Sequence, residues 1–332
     1  MQSKATITAI GIHVPEEVIG NDYFETIVDT SDEWIVQRTG IRERRFAGKQ
    51  EFTSDLAITA VTNMIQQYDI KVDDVDMILV ATSTPDHVFP SVASRIQSHF
   101  EIKHTGAIDL HATCAGFVYG LNMANALVTA GMNRKVLVIG AETLSKTTDF
   151  SDRTTCILFG DGAGAALVEY TEENPGFLAS YIGATKGEGG IHLYRTHLSD
   201  QLDGQPVKDH GQIVQNGREV YRWAVTTVPT GMHSLMDQTE LSLDDVDWFI
   251  PHSANARMIE TICEKSGFPL EKTLMSMERY GNTSAATIPL ALAGGIREGK
   301  VQSGDTLLLY GFGGGLVHAG LLLKWLPTKT PR

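Results

Sequence analysis

The chain contains 332 residues, of which 42% are hydrophobic and 20% are charged, and its formal net charge is −13. This composition predicts a soluble globular protein of one large or two smaller domains, and the acidic balance argues against non-specific binding to nucleic acid. Three cysteines form no disulfide framework, no signal peptide is recognisable, and no run of about 20 apolar residues predicts a membrane span, so we expect a cytoplasmic protein.

Strand-like and helix-like segments alternate along the first half of the chain. An N-terminal strand is predicted to end at Pro15, and further strands are predicted at "MILVATS", "GAIDLHA" and "KVLVIGAE". Apolar residues recur at helical spacing over residues 91–100 and 116–130, which predicts one helix in each interval. This alternation favours an α/β fold with a mostly parallel sheet, in which function gathers at the carboxyl ends of the strands.

The chain contains an internal repeat. The segment "VDDVDMILVATS" resembles "LDDVDWFIPHSA", and "KVLVIGAE" resembles "DTLLLYGF". Asp76 and Asp247 lie 171 residues apart, and so do Gly140 and Gly311. Two matches at one offset predict a tandem duplication, with an N-terminal half over residues 1–172 and a C-terminal half over residues 173–332.

Cys114 follows a predicted strand and directly precedes a predicted helix. The N–H groups and the dipole at a helix start stabilise a thiolate, so we expect a lowered thiol pKa and a nucleophilic role. A buried structural cysteine is the alternative, because free cysteines are often buried. Cys156 and Cys263 lie in strand-like and helix-like apolar patterns, and we interpret both as structural.

A histidine and an asparagine occupy comparable positions in the second half. His252 directly follows the strand-like "WFIP", and Asn282 precedes a segment with helical periodicity. The repeat offset carries Cys114 to position 285, three residues past Asn282, so the two residues are predicted to face each other. An ordinary polar contact and a helix cap are the alternatives for His252 and Asn282. Together the three residues predict a Cys–His–Asn set, which suits hydrolysis as well as acyl transfer.

Two glycine-rich stretches lead into strand-like sequence. "FGDGAGAALVEY" lacks the G-x-G-x-x-G spacing and the following helix that a dinucleotide loop requires, so no NAD site is expected. In "YGFGGGLVHAG", residues 313–315 offer backbone N–H groups as oxyanion donors, or they permit a tight turn.

Two further features concern ligands. The histidines lack a second ligand pair, so neither a metal nor another cofactor is expected. The basic cluster "RTGIRERR", residues 38–45, is either a solvated face or a docking surface for phosphates or an acidic partner.

Seven motifs, taken together and in order, resemble the β-ketoacyl-acyl carrier protein synthase III family over nearly the whole chain. They are "DEWIVQRTGIRERR", "STPDHVFPS", "CAGF", "FGDGAGA", "PHSANAR", "GNTSAA" and "FGGG". The resemblance implies an α/β, thiolase-like fold, in which two duplicated halves form a five-layered α-β-α-β-α arrangement. It also implies a homodimer.

The resemblance further implies roles for individual residues. Cys114 is the acylated nucleophile, His252 and Asn282 complete the triad, and the backbone N–H groups of Cys114 and Gly314 form the oxyanion hole. Phe89 reaches across the dimer into the acyl pocket of the partner. The other implied contacts are Phe312 in the acyl pocket, and Trp34, Arg38, Arg153, Ser253, Ala254, Asn255, Ala256 and Arg257 with coenzyme A or the carrier protein.

The implied reaction initiates fatty-acid biosynthesis. An acyl-CoA acylates Cys114, and malonyl-acyl carrier protein then loses carbon dioxide and condenses to 3-oxoacyl-acyl carrier protein. Where relatives commonly read "PHQANLR", this chain has the smaller Ser253 and Ala256 and retains Arg257.

Three alternative activities are open from the residues alone. They are a related acyltransferase or condensing enzyme of secondary metabolism, a cysteine thioester hydrolase, and a hydroxymethylglutaryl-CoA synthase, which needs a glutamate general acid near the cysteine. The starter acyl group is not predicted, because the volumes of the side chains that shape the pocket cannot be placed from the sequence.

Overall fold

The computed structural model of the chain describes residues 2–185, 188–208, 210–327 and 329. The strands in these residues are β1 Ala5–His13, β2 Glu17–Gly20, β3 Glu43–Phe46, β4 Met77–Ala81, β5 Gly106–Leu110, β6 Lys135–Thr143, β7 Asp161–Tyr170, β8 Phe177–Ala184, β9 Leu193–Arg195, β10 Gln201–Leu202, β11 Gln205–Pro206, β12 Ile213–Gln215, β13 Trp248–Pro251, β14 Thr306–Gly313 and β15 Val317–Lys324. The helices are α1 Asn21–Glu25, α2 Asp32–Thr39, α3 Thr53–Tyr68, α4 Val92–His99, α5 Gly116–Thr129, α6 Gly217–Met236, α7 Ala256–Ser266, α8 Met277–Tyr280 and α9 Thr287–Arg297.

Two sheets organise the chain. The first has the strand order β1-β7-β6-β4-β5, and the second has the order β13-β14-β15-β8. Strand β4 is parallel to β5 and β6, and β13 is parallel to β14, whereas the other pairs in the two sheets are antiparallel. The prediction of a mostly parallel sheet is therefore wrong. In the described residues no α-helix separates β6 from β7 or β14 from β15, and without an α-helical crossover these neighbours pair antiparallel.

The helices and sheets form five layers. Helices α3 and α4 cover one face of the first sheet, and α5 and α9 lie between the two sheets. Helix α6, with α7 packed against it, covers the outer face of the second sheet. The five-layered α-β-α-β-α arrangement is thus confirmed, and the central helices are the most apolar because they are buried on both sides.

Equivalent elements recur along the chain at the offset found in the sequence. Strands β4 and β13, strands β6 and β14, and helices α5 and α9 each begin 171 residues apart. The 3₁₀ turns Thr113–Ala115 and Ser284–Ala286 share this spacing, and both begin on a non-glycine residue in the left-handed region, at φ 44° and 49°. The strands of the first sheet lie within residues 5–170 and those of the second within residues 177–324. The boundary between residues 172 and 173 stays a prediction.

Some predictions about individual segments are confirmed, and others are wrong. The predicted helices over 91–100 and 116–130 are confirmed as α4 and α5. Cys156 lies in a turn rather than in a strand, although it is buried as expected. Arg44 is also fully buried, so the basic cluster over residues 38–45 is not a continuous exposed surface. Among the described residues, none of the helices combines the length and hydrophobicity that a membrane crossing requires.

Gly140 allows the turn Ser284–Ala286 to approach strand β6. A Cβ atom at position 140 would lie 2.3 Å from the carbonyl oxygen of Ala285, and backbone cannot move aside as a side chain can. We expect Gly140→Ala to reduce the free energy of unfolding by about 1–3 kcal/mol, or more. Urea denaturation would measure this loss.

Gly294 provides the matched control, because it lies within α9 and a Cβ there would meet no atom within 4 Å. Gly294→Ala should raise the free energy of unfolding by about 0.5–1 kcal/mol through the lower backbone entropy of the unfolded chain. Equal effects of the two substitutions would contradict the packing described for Gly140.

Candidate active site

One cavity gathers the three residues predicted to carry the chemistry. Cys114 lies in the turn before α5, His252 directly follows β13, and Asn282 lies in the loop before the turn Ser284–Ala286. All three line the same cavity, together with Phe312 and Gly313. The structure therefore places the three predicted side chains in one cavity, and their catalytic roles stay a prediction.

The Cys114 thiol is buried, with an exposed fraction of 8%. Burial raises the pKa of the thiol to about 12, and the nearby Glu142 carboxylate adds to the rise. The Ser284 hydroxyl acts in the opposite direction and lowers the pKa of the thiol. The prediction of a lowered pKa is therefore wrong for the protein without substrate, and the resting nucleophile is a protonated thiol.

Strand β14 approaches the cysteine turn very closely. A Cβ atom at Gly311 would lie 2.7 Å from Ala115 Cα, and one at Gly313 would lie 2.9 Å from Cys114 Cβ. The Thr113 hydroxyl donates a hydrogen bond to the Gly314 carbonyl oxygen at 3.1 Å. These contacts fix the distance between the Cys114 turn and strand β14. No larger residue fits at Gly311 or Gly313. The roles of the Cys114 and Gly314 N–H groups as an oxyanion hole stay a prediction.

His252 is almost completely buried, and burial lowers its pKa to about 3. The ring is therefore neutral at physiological pH and carries one N–H group and one lone pair. Its Nδ1 lies 2.9 Å from Thr287 Oγ1, and the Thr287 hydroxyl also donates to the Ser284 carbonyl oxygen at 2.9 Å. The Phe312 ring lies edge-on to the imidazole at 5.1 Å between centroids. These contacts fix the ring orientation.

The side chain of Asn282 is held by its own loop. Its Oδ1 accepts the Ser284 N–H at 2.9 Å, its backbone N–H donates to Leu158 O at 2.8 Å, and its carbonyl oxygen accepts the Gly160 N–H at 3.1 Å. Among the described residues, none accepts a hydrogen bond from Nδ2. Asn282 therefore presents a neutral amide donor to the cavity, as the predicted role requires.

Two buried charged residues near the site were not identified from the sequence as site residues. Arg44 donates to Ile157 O at 2.6 Å and to Asn21 Oδ1 at 2.7 Å, and so supports the segment that pairs with Asn282. Glu142 has no exposed surface, and burial raises its pKa to about 7. Its signal in the sequence was a single acidic residue at the end of the mostly apolar "KVLVIGAE".

The residues implied to bind coenzyme A form a cluster on the surface. The Arg153 guanidinium lies 4.4 Å from the centroid of the Trp34 ring, and that of Arg38 lies 5.8 Å from it. Both arginines are exposed. This cation–π cluster is a positively charged aromatic surface, of a kind that suits a nucleotide with phosphates.

The segment before α7 divides into exposed and buried parts. Arg257 is exposed in the first turn of α7, and Asn255 caps the helix by accepting the Met258 N–H at 2.8 Å. Ser253 is fully buried, and its hydroxyl accepts the Ser276 N–H at 3.1 Å. We therefore correct the prediction for Ser253, whose side chain supports an internal turn and does not face a carrier. Residues 254 and 256 are partly exposed.

The two phenylalanines implied to shape the acyl pocket occupy different environments. Phe312 is buried and lines the cavity that contains Cys114. Phe89 has an exposed fraction of 84% and does not line this cavity. An action of Phe89 on an acyl chain therefore requires a second copy of the chain.

The chain is similar over nearly its whole length to proteins of one family. The profile described as 3-Oxoacyl-[acyl-carrier-protein (ACP)] synthase III matches residues 108–186, and the profile of the C-terminal part of that synthase matches residues 236–325. Proteins named beta-ketoacyl-[acyl-carrier-protein] synthase III 2 from Halalkalibacterium halodurans and Bacillus cereus are 60% and 59% identical to it. These similarities cover 98% of this chain in both cases, and 98% and 99% of the relatives.

A solved structure leads to the same family. The crystal structure of beta-ketoacyl-[acyl carrier protein] synthase III from Thermus thermophilus is similar with a TM-score of 0.92 at 42% identity, and the similarity covers 96% of this chain and 98% of that one.

The burial of Cys114 predicts slow alkylation of its thiol. With a pKa raised to about 12, the thiolate fraction at neutral pH is far below that of a free cysteine. We expect iodoacetamide to modify Cys114 at neutral pH at least about tenfold more slowly than free cysteine, and the rate to keep rising above about pH 9. Intact-protein mass spectrometry would follow the reaction, with Cys114→Ser as the background control. Alkylation at neutral pH as fast as that of free cysteine would contradict the raised pKa.

Proposed function

Because this chain belongs to the 3-oxoacyl-[acyl-carrier-protein] synthase III family, we propose that it condenses an acyl-CoA starter with malonyl-acyl carrier protein and so initiates fatty-acid biosynthesis. The observation that carries this proposal is the arrangement of Cys114, His252 and Asn282 around one cavity. The product is 3-oxoacyl-acyl carrier protein.

The first half-reaction transfers the acyl group to the cysteine. The Cys114 Sγ attacks the thioester carbonyl carbon, the C–S bond to coenzyme A breaks, and CoA leaves as the thiol. Backbone N–H groups of Cys114 and Gly314 are the proposed donors to the oxyanion that forms on the carbonyl oxygen. The thiol must lose its proton during the attack, because burial holds it protonated in the resting protein.

The second half-reaction decarboxylates the malonyl group. Loss of carbon dioxide leaves an enolate whose charge develops on the malonyl thioester oxygen, and donors aimed at that oxygen lower the barrier. Asn282 Nδ2 is suited to this role because Oδ1 is already occupied by the Ser284 N–H. The neutral His252 offers an Nε2–H to the same oxygen in the tautomer whose Nδ1 accepts the Thr287 hydroxyl, and in that tautomer the hydroxyl does not donate to the Ser284 carbonyl oxygen. The carbanion then attacks the acyl-Cys114 thioester.

Surface residues are proposed to bind the two substrates before they react. The cluster of Trp34, Arg38 and Arg153 offers an aromatic face and two guanidinium groups to coenzyme A. Arg257 offers an exposed charge to the acidic carrier protein beside the helix that follows the His252 segment. On a chain with a net charge of −13, such isolated basic groups supply local attraction for an anionic partner.

We also propose a homodimer in which Phe89 of one copy closes the acyl pocket of the other. The exposure of this phenylalanine and its position outside the cavity of its own chain support the proposal. The hydroxymethylglutaryl-CoA synthase alternative is disfavoured, because Glu142 does not line the cavity and so does not reach a substrate.

We expect a substitution of Asn282 to impair the second half-reaction but not the first. Acylation needs the thiol and the oxyanion hole, whereas decarboxylation needs the Asn282 amide donor. We expect Asn282→Ala to form acyl-Cys114 at a substantial rate but to lose condensation by about a hundredfold to a thousandfold. Single-turnover mass spectrometry would measure acylation, and labelled carbon dioxide would measure decarboxylation.

His252→Ala serves as the comparison, since it should lose decarboxylation as well. Cys114→Ala is the control for acylation, because it should carry no acyl adduct. Loss of acylation in Asn282→Ala with decarboxylation intact would show that the roles are assigned wrongly.

Reversal of one surface charge tests the docking role of Arg257. Arg257→Glu should raise the KM for malonyl-acyl carrier protein by about tenfold at low salt, while the KM for acyl-CoA changes little, because the carrier is the acidic partner. Lys265→Glu on the same helix is the matched control, since it changes the net charge equally at about 12 Å along the helix axis. An unchanged carrier KM, or an equal rise in both variants, would refute the docking role.

A further inference from the structure

Arg44 lies behind the loop that carries Asn282. It belongs to β3, its side chain has no exposed surface, and it is not among the residues that line the cavity around Cys114. Burial lowers the pKa of the guanidinium group to about 10, so Arg44 stays positively charged at neutral pH. A buried charge is costly unless hydrogen bonds hold it, and the reaction proposed above gives this one no role.

Three oxygen acceptors and one aromatic ring surround the guanidinium group. Arg44 Nη1 donates to Ile19 O at 3.3 Å and to Asn21 Oδ1 at 2.7 Å, and Nη2 donates to Ile157 O at 2.6 Å. The centroid of the Phe24 ring lies 4.4 Å from Cζ. Within the described part of the chain, no carboxylate forms an ion pair with Arg44. The charge is therefore stabilised by the segments that it holds together, and the bond to Ile157 is of the strong, charge-assisted kind.

The Asn21 side chain holds the guanidinium group from the opposite side to Ile157. Its Nδ2 donates to Asp32 Oδ1 at 2.7 Å and to Ile41 O at 2.9 Å, while its Oδ1 accepts the bond from Arg44. The amide thus connects the buried cation to a carboxylate in the first turn of α2. Because Asn21 is itself buried, this series of bonds leaves Arg44 little freedom to move.

The segment that Arg44 holds at Ile157 pairs directly with the Asn282 loop. The Asn282 N–H donates to Leu158 O at 2.8 Å, and the Gly160 N–H donates to Asn282 O at 3.1 Å. The two bonds form a parallel bridge between residues 159 and 282. Both backbone hydrogen-bonding groups of Asn282 are therefore bonded to the segment that Arg44 anchors.

The aliphatic part of Arg44 packs against both sides of this bridge. A Cβ atom at Gly160 would lie 3.0 Å from Arg44 Cβ, and one at Gly281 would lie 3.1 Å from it. The backbone next to Arg44 also holds the chain before the loop, because the Arg42 N–H donates to Glu278 O in α8 at 2.9 Å. A displacement of Arg44 would therefore move the two sides of the bridge relative to each other.

We propose, on the basis of the function proposed above, that Arg44 is a positioning residue for the second half-reaction, because it fixes the Asn282 amide donor relative to the malonyl thioester oxygen. A donor lowers the barrier only when it is already aligned, and a displacement of about 1 Å can cost about a hundredfold in rate. Acylation depends instead on the Cys114 thiol and on the proposed N–H donors of Cys114 and Gly314. Among the described residues, neither of these two is hydrogen-bonded to Arg44.

Separate measurement of the two half-reactions tests the proposal. Arg44→Met keeps an aliphatic stem but removes the donors to Ile157 and Asn21. It should lower decarboxylation of malonyl-acyl carrier protein by about tenfold to a hundredfold, and single-turnover acylation by less than about threefold. A purely structural role would lower both rates together, because residues 158 and 159 also line the cavity. Arg45→Met is the matched control on β3, where a partly exposed arginine pairs with Glu43, and it should change neither rate.

A double variant shows whether Arg44 acts through Asn282. If it does, Arg44→Met should lower decarboxylation little further in a protein that already carries Asn282→Ala. Arg44→Lys keeps the stem and the charge but has a single donor atom, and it replaces Arg44→Met as the deciding variant if that protein does not fold.

Three outcomes would overturn the proposal. They are equal losses of acylation and decarboxylation in the deciding variant, no loss of either, and a loss of decarboxylation that is as large with Asn282→Ala as without it. A wild-type protein that releases no carbon dioxide from malonyl-acyl carrier protein would instead overturn the proposed function, and this role with it.

Discussion

A reciprocal contact between the two halves of the chain determines the geometry of the site. The carbonyl oxygen of Ala285 packs closely against Gly140 on β6, and the backbone of Ala115 packs closely against Gly311 on β14. The two glycines lie 171 residues apart, as do the two turns, so each half supplies the space into which the turn of the other half packs. The nucleophile, the amide donor and the histidine therefore lie where the halves meet. A small change in this contact would displace all three together, because close-packed interiors transmit strain.

Burial without counter-charges controls the chemistry of the same region. It keeps the Cys114 thiol protonated and the His252 ring neutral, and it raises the pKa of the Glu142 carboxyl towards neutrality. In such surroundings a charge that forms during the reaction is costly unless donors are already in place. Ser284 contributes to this preparation, since its N–H orients Asn282 and its hydroxyl lowers the pKa of both the Cys114 thiol and the Glu142 carboxyl. The site thus contains a protonated thiol and a neutral imidazole, with the Asn282 amide donor already in place for the charge that forms.

Much of this arrangement could be predicted from the sequence, because it follows from local patterns. The strand-to-helix position of Cys114 and the repeat offset to Asn282 are visible as periodicity and spacing. The mixed pairing of the sheets was missed, since it depends on connections that lack a crossover α-helix rather than on the strands themselves. The raised thiol pKa was missed because the helix dipole can be read from the chain order, whereas desolvation depends on everything packed around the sulfur. Burial of Arg44 and Ser253 is likewise a property of the tertiary structure alone.

The two equivalent turns have different roles in the two halves of the chain. Thr113 and Ser284 begin these turns in the same left-handed conformation, and the next residue is the nucleophile in one half and Ala285 in the other. A second thiol at position 285 would have no use there, since that residue packs against Gly140 instead of facing the cavity. The second turn instead supplies the Ser284 N–H, which orients Asn282. The strained turn therefore occurs twice. One copy positions the nucleophile, and the other positions the N–H that orients Asn282.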